Sequence, residues 1–269
     1  MTMAKAIKIG VLGAGGRMGR AIIAAIPDDP RLVLAGAIER AGHDSVGTPL
    51  GPPFPPSLTI CSNHGPLAIA SDVLVDFTAP DALAATLDAA CDGRAAIVIG
   101  TTGLEQRHHA MIDRAARSIA VLQAANTSLG VTLLARLVEQ AARALDWDIE
   151  IAELHHRDKV DAPSGTALAL GAAAARGRGV DLVRVSDRGR DGITGARVPG
   201  HIGFAALRGG SAPGDHLVML CGDGERIELG HRVESREIFA RGALRAAAWL
   251  AVKPAGRYTM DDVLGLPVR

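Results

Sequence analysis

Six residues of strand character, Ile7-Lys8-Ile9-Gly10-Val11-Leu12, run directly into Gly13-Ala14-Gly15-Gly16-Arg17-Met18-Gly19, and residues 20–26 follow with helical spacing. A chain that passes from strand to helix through so many glycines has few ways to fold. Glycine takes positive φ at little steric cost and lets backbone approach backbone or a ligand closely. Strand, glycine turn and helix together open the βαβ unit that holds a dinucleotide, with phosphate at the helix N-terminus. The usual spacing would place its third glycine at position 18, which is Met18; the spacing that fits is Gly13, Gly16, Gly19. A second strand, residues 32–38, ends at Glu39, 20 residues beyond Gly19. An acidic side chain near that offset accepts hydrogen bonds from an adenosine ribose. A tight turn would explain the glycines alone; with the strand, the helix and Glu39 they point to a nucleotide.

The pattern continues. Strands are predicted at 71–77, 95–99 and 119–122, with helices at 80–90 and 105–118 between them, and a proline- and glycine-rich mobile loop at 42–57. Strands alternating with helices make a parallel, doubly wound α/β sheet. Ligands of such sheets lie beyond the carboxyl ends of the strands. Phe77 and Thr78, Gly100, Thr101 and Thr102, and Ala124, Ala125, Asn126 and Thr127 occupy three such ends. Small and hydroxyl-bearing residues there let a flat ring approach, although each group alone also suits an ordinary βα turn.

The second half has another character. Residues 128–145 read as a helix crossing into a second domain. Residues 147–155 alternate, with Ile149, Ile151, Glu153 and His155 on one face and Glu150, Ala152, Leu154 and His156 on the other. A small-residue helix covers 166–176. A long loop rich in glycine and arginine, 177–200, contains a short strand at 182–185. Strands at 201–208, 216–221 and 225–232 are expected to form an antiparallel meander, its last turn carried by Gly222-Asp223-Gly224. A final helix runs from 235 to 252, with Ser235 able to cap it and Pro254 and Gly256 ending it.

Chemistry concentrates in one stretch, residues 153–167, ELHHRDKVDAPSGTA. Pro163 suits the first turn of a helix. Ser164, Gly165 and Thr166 would then offer backbone N–H groups and hydroxyls to a carboxylate or phosphate; a plain N-cap by Asp161 or Ser164 is the structural alternative. His155 can exchange a proton near neutrality. Lys159 supplies positive charge, or a proton if burial lowers its pKa. A zinc site at His155, His156 and Asp158 is disfavoured because adjacent strand histidines diverge and no cysteine lies near, so no metal is expected. Lys159 as a Schiff-base nucleophile is also open.

Composition narrows the class. The 269 residues carry 29 Lys plus Arg against 29 Asp plus Glu, so nothing draws the chain generally to nucleic acid or to an anionic membrane. Cys61, Cys91 and Cys221 are odd in number and widely spaced, which matches no disulfide framework and suggests a reducing cytoplasm. No signal peptide and no apolar run of membrane-spanning length is read.

The stretch ELHHRDKVDAPSGTA resembles the signature of the 4-hydroxy-tetrahydrodipicolinate (dihydrodipicolinate) reductases, enzymes of the diaminopimelate route to lysine. GAGGRMG, DFTAP, IGTTG, AANTSLGV, RVPGHIGFAALRGG and GDH extend the resemblance along nearly the whole chain. It implies hydride transfer from NADH or NADPH to the cyclic imine dicarboxylate formed when the hydroxy substrate loses water. By match, His155 is the proton donor or acceptor and Lys159 the proton donor. His156 contacts the substrate, and Gly165 and Thr166 hold its carboxylate beside Ser164. Gly13, Ala14, Gly15, Gly16, Arg17, Met18, Glu39, Arg40, Phe77, Gly100, Thr101, Thr102, Ala124, Ala125, Asn126 and Thr127 hold the cofactor. The resemblance implies a Rossmann-like dinucleotide-binding domain from 1–127 and 237–269. It also implies an α+β substrate and oligomerisation domain at 128–236, with a mixed, largely antiparallel sheet that builds a homotetramer. One position departs: the family commonly has Phe where this chain has Thr127. Glu39 suits the ribose of NADH and Arg40 a 2′-phosphate, so use of both cofactors is expected. Another NAD(P)-dependent dehydrogenase of a small amino-acid-derived acid, or a nucleotide sensor without chemistry, are the competing functions.

Overall fold

The computed structural model describes residues 5–267 and divides into two units. One holds the chain up to Ser128 together with everything from Glu237; the other is Leu129–Arg236. Residues 1–4 and 268–269, ends of the expected first domain, lie outside the described residues.

The first unit is built on seven strands: β1 (Ile7–Leu12), β2 (Leu32–Ile38), β3 (Ile60–Cys61), β4 (Val73–Asp76), β5 (Ala96–Ile99), β6 (Ala120–Gln123) and β12 (Gly256–Tyr258). Their order is β12-β6-β5-β4-β1-β2-β3, and every neighbouring pair is parallel. The central strands read as unbroken apolar runs because both faces are covered; Val73, Val75, Ile97, Val98 and Ile99 are fully buried. The helices are α1 (Arg17–Ala25), α2 (His64–Ala70), α3 (Leu83–Gly93), α4 (Gln106–Ala115), α8 (Glu237–Leu250) and α9 (Met260–Val263). The expected helix at 80–90 begins instead as a 3-10 turn, Pro80–Ala82, before α3. Residues 42–57 fold back on themselves: the Leu50 N–H donates to the Leu58 carbonyl and the Ile60 N–H to Thr48. The short elements α2, β3, β12 and α9 carry too little periodicity to have been read from sequence.

The second unit is a five-stranded mixed sheet with helices on one face. Its strands are β7 (Asp148–His155), β8 (Ser186–Asp187), β9 (Ile202–Arg208), β10 (Asp215–Cys221) and β11 (Arg226–Arg232), in the order β11-β10-β7-β9-β8. The pairings β11-β10 and β10-β7 are antiparallel; β7-β9 and β9-β8 are parallel. Helices α5 (Leu129–Ala144) and α6 (Gly165–Arg178) bury Leu134, Val138, Leu170 and Ala174 against Ile149, Ile151, Val218 and Leu220. Gly171 and Gly177 let α6 come close: β-carbons there would lie 2.5 Å from the Phe204 ring and 2.4 Å from the Glu139 carbonyl oxygen.

Two expectations fail here. Residues 201–232 are not a simple meander, because β7 lies between β9 and β10. Ile149 and Ile151 are each 1% exposed, so β7 gains most by taking the centre, and residues 209–214 pass around its end. There the Gly209 N–H donates to the His155 carbonyl, and the His156 N–H to Ala212. Residues 182–185 are a helical turn, α7 (Leu182–Val185), and the strand is the pair that follows. The Asp181 carboxylate accepts the Val183 N–H at 2.9 Å, and that cap outweighs the strand preference of two valines. Among the described residues no helix is long and apolar enough to cross a membrane.

Candidate functional site

At the carboxyl ends of the first sheet, Gly16, Arg17, Met18, Phe77, Thr78, Gly100, Thr101, Thr102, Ala125, Asn126, Thr127 and Phe239 line a cavity of about 530 Å³. Close backbone packing makes that space. A β-carbon on Gly19 would lie 2.1 Å from the Gly13 carbonyl oxygen, and one on Gly100 would lie 2.2 Å from the Phe77 ring. Gly13 has φ 79°, and its N–H and that of Ala14 both donate to the Ile38 carbonyl at 3.0 Å, locking the turn onto β2. These two residues are therefore buried supports beneath the cavity. The Ala124 N–H donates to the Ile99 carbonyl and serves in the same way.

Glu39 closes the turn from the side. Its Oε2 accepts the Gly15 N–H and its Oε1 the Arg40 N–H, both at 2.9 Å, while the Arg40 side chain is exposed. Gly15 also lies under His43 and Ser45, whose atoms would be 2.6 and 2.8 Å from a β-carbon there. Asp76 ends β4 with no exposure and takes the Thr78 N–H and hydroxyl on Oδ1 at 2.9 and 2.6 Å. Burial pushes its carboxyl above the usual range, against the donors of Thr78 and Thr101 that favour the anion. Thr127 is buried and donates its hydroxyl to the Phe239 carbonyl at 2.7 Å. The aromatic side of this cavity is thus held by Phe77 and Phe239, the second of which the sequence reading missed.

In the second unit the polar centre is Glu153, near the end of β7, with its side chain 1% exposed. Oε2 receives His155 Nδ1 at 2.5 Å and the Arg208 guanidinium at 2.9 Å; Oε1 receives the same guanidinium at 2.9 Å and the Ser164 N–H at 3.1 Å. Burial alone would raise this carboxyl, but Arg208 and His155 outweigh it and hold it below the usual carboxylate range. The strand alternation predicts this partnership, since Glu153 and His155 share the buried face; only the role of Glu153 went unread. His156 falls just beyond β7 and is half-buried.

Pro163 is not in the first helical turn. Ser164 is the N-cap of α6, its hydroxyl accepting the Ala167 N–H at 3.1 Å, and Pro163 precedes the cap. The Ser164 hydroxyl also meets His216 Nε2 at 3.1 Å. Both groups of Ser164 expected to face an anion are therefore engaged within the protein, and the outward positions at this terminus are Gly165, which is exposed, and Thr166, which is half-buried. Lys159 Nζ lies 2.6 Å from Asp161 Oδ1 and holds that carboxyl below its usual range. His216 packs edge-on to His155, ring centroids 5.2 Å apart, and burial pushes its pKa down to about 4, helped by His155. Arg208 and His216 sit within the RVPGHIGFAALRGG and GDH motifs, but nothing local in the sequence shows that β9 and β10 flank β7.

The two sites invite different ligands. The first has backbone, small residues and few charges, as a flat dinucleotide needs. The second sets a histidine, a lysine and a helix N-terminus in one unit, which suits an anion that takes up a proton.

Residues 7–127 match the family model for the N-terminus of dihydrodipicolinate reductase, and residues 130–264 match that for its C-terminus. A 4-hydroxy-tetrahydrodipicolinate reductase of Zymomonas mobilis subsp. mobilis is 52% identical over 268 residues, covering 99% of this chain and 100% of its own. One from Parvibaculum lavamentivorans is 53% identical over 266 residues, 97% of this chain and 98% of its own. A solved structure, dipicolinate-bound dihydrodipicolinate reductase from Paenisporosarcina sp. TG-14, shares the fold with TM-score 0.72 at 22% identity, over 94% of this chain and 97% of that one. The chain belongs to the dihydrodipicolinate reductase family.

Proposed function

We propose that the first unit holds NADH or NADPH and that the second holds the cyclic imine dicarboxylate and manages its proton. The cavity of the first unit fits a dinucleotide because β-carbons at Gly19 and Gly100 would collide with the turn and the ring that shape it. Gly16, Arg17 and Met18 would meet the phosphates at the start of α1, Glu39 and Arg40 the adenosine ribose, and Phe77, Gly100 to Thr102 and Ala125 to Thr127 the nicotinamide side. When bound, the nicotinamide supplies the hydride. Lys159 gives a proton to the ring as it accepts the hydride, His155 serves as proton donor or acceptor beside it, and His156, Gly165 and Thr166 grip the carboxylates. Ser164 acts by capping α6 and fixing that grip.

One observation carries this reading: a single buried carboxylate, Glu153, binds both His155 and the backbone that starts α6, at 2.5 and 3.1 Å. Proton donor and anion grip are thereby held in one frame. The test follows loss of nicotinamide absorbance with freshly prepared substrate, in wild type and in a Gly165→Ala, Thr166→Val variant. A raised KM for substrate with unchanged cofactor affinity is expected; unchanged KM sinks the assignment. Glu39 beside Arg40 predicts use of both cofactors, and a preference in kcat/KM beyond ~100-fold would reject it.

We also propose a homotetramer built on the sheet face opposite α5 and α6, where Ala152, Leu154, Leu217 and Met219 are half-buried. Sedimentation showing a monomer would refute it. A cytoplasmic setting accords with Cys61, Cys91 and Cys221 being free thiols.

A further inference from the structure

Three partners of the Glu153 carboxylate can only donate: two guanidinium N–H groups of Arg208 and the Ser164 N–H. An ionised carboxylate only accepts. The fourth partner, His155 Nδ1, must then carry the proton of that bond. A β-carbon at Gly214, which has φ 152°, would lie 2.8 Å from the other ring nitrogen, Nε2, so glycine there spares that nitrogen a clash.

We propose that Glu153, gripped by Arg208, is the positioning residue of the reaction: it fixes His155 as the Nδ1–H tautomer and leaves Nε2 as the atom that exchanges a proton with the substrate. This rests on the reading of His155 as proton donor or acceptor. A histidine's working nitrogen is set by the bond its other nitrogen makes. The charged and titratable groups that face the pair come from every neighbouring element. Arg208 stands on β9; His216 stands on β10 with His231 opposite it on β11; Lys159 and Asp161 lie in the loop before α6. His216 is buried and held neutral near neutrality, so it adds no charge of its own.

The tautomer makes the proposal testable. Glu153→Gln removes the anion that fixes the Nδ1 proton, whereas Arg208→Gln leaves that anion in place. The experiment is nitrogen NMR of histidine-labelled, cofactor-free full chain, with His155→Gln to assign the resonances, alongside kcat and KM. In wild type and in Arg208→Gln the neutral His155 should carry its proton on Nδ1. In Glu153→Gln the Nε2–H form should gain at its expense, and kcat should fall about 10- to 100-fold with KM little changed.

An Nε2–H tautomer in wild type overturns the proposal, and so does an unchanged tautomer in Glu153→Gln. If the tautomer changes while kcat stays put, the proposal falls by another route. Glu153 would then set the tautomer, but His155 would not move the substrate's proton. Should Glu153→Gln fail to fold, wild type and Arg208→Gln carry the test, and an Nε2–H form in either sinks it.

Discussion

A β-carbon on Gly19, in the first unit, would fall 2.1 Å from a backbone oxygen; one on Gly165, in the second, would meet nothing within 4 Å. Both glycines stand in the first turn of a helix, yet one is required by the protein and the other is not. The contrast runs through the two regions. The strand ends of the first unit are shaped by backbone packed on backbone, with Asp76 their one buried carboxyl, kept above its usual range. The centre of the second unit is shaped by charge, with Glu153 below its usual range between Arg208 and His155. Space governs the first and electrostatics the second, so substitutions should fail for different reasons in each.

The largest effect sharpens this contrast from the charged side. Lys159→Ala removes the proposed proton donor, so kcat should fall about 10²- to 10⁴-fold. Cofactor affinity, measured by fluorescence titration, should not change; equal turnover would remove Lys159 from the mechanism. From the spatial side, Gly19→Ala must displace the Gly13 carbonyl. We expect a loss of about 3 kcal/mol in unfolding free energy, an overpacking cost, together with weakened cofactor binding. A stable variant with wild-type cofactor affinity would show that this turn tolerates what its geometry forbids.

Acid should find the charged region through His216. Its folded-state pKa is about 4 against an ordinary 6.5. Between those values the unfolded chain binds a proton that the folded one refuses, so stability is fully present above pH 6.5. It declines as pH falls toward 4, by about 3 kcal/mol in all. His231, pushed down by burial, adds in the same direction. Urea unfolding at pH 7 and pH 5 measures the difference, and His216→Gln should flatten it. Glu153, whose carboxyl is held low, contributes loss only below its ordinary 4.5, so the two windows separate.

The same division explains what was legible in the sequence. The longer elements of the first unit could be read one by one, because glycine spacing, apolar runs and βα alternation are local signals of a parallel sheet. In the second, β7 and its alternation were legible, and with them the buried face shared by Glu153 and His155. The insertion of β7 between β9 and β10 was not, since strand order within a mixed sheet depends on which strand gains most by burial. Arg208 and His216 reach Glu153 and Ser164 only through that order, across sequence separations of 55 and 52 residues. Ser164 was read as facing outward because a helix N-terminus looks the same whether its cap is spent on the protein or offered to a ligand.

The smallest effect is the sharpest test of the comparison. Gly165 is the first residue of α6, at negative φ, exposed and with open space where a side chain would go. If it served only the helix, alanine would be neutral or would stabilise by up to ~1 kcal/mol, since alanine is the better helix former. If a substrate carboxylate sits against this terminus, the added methyl displaces it from the N–H groups it would contact. The expected result is unchanged or slightly raised thermal stability and a substrate KM about 10-fold higher, equivalent to ~1.4 kcal/mol. Gly19→Ala and Gly165→Ala are the same chemical change at two glycine turns. The first should damage the fold before the ligand is considered, and the second should damage only the ligand. Equal losses of stability in the two variants would mean that the second region, too, is governed by space.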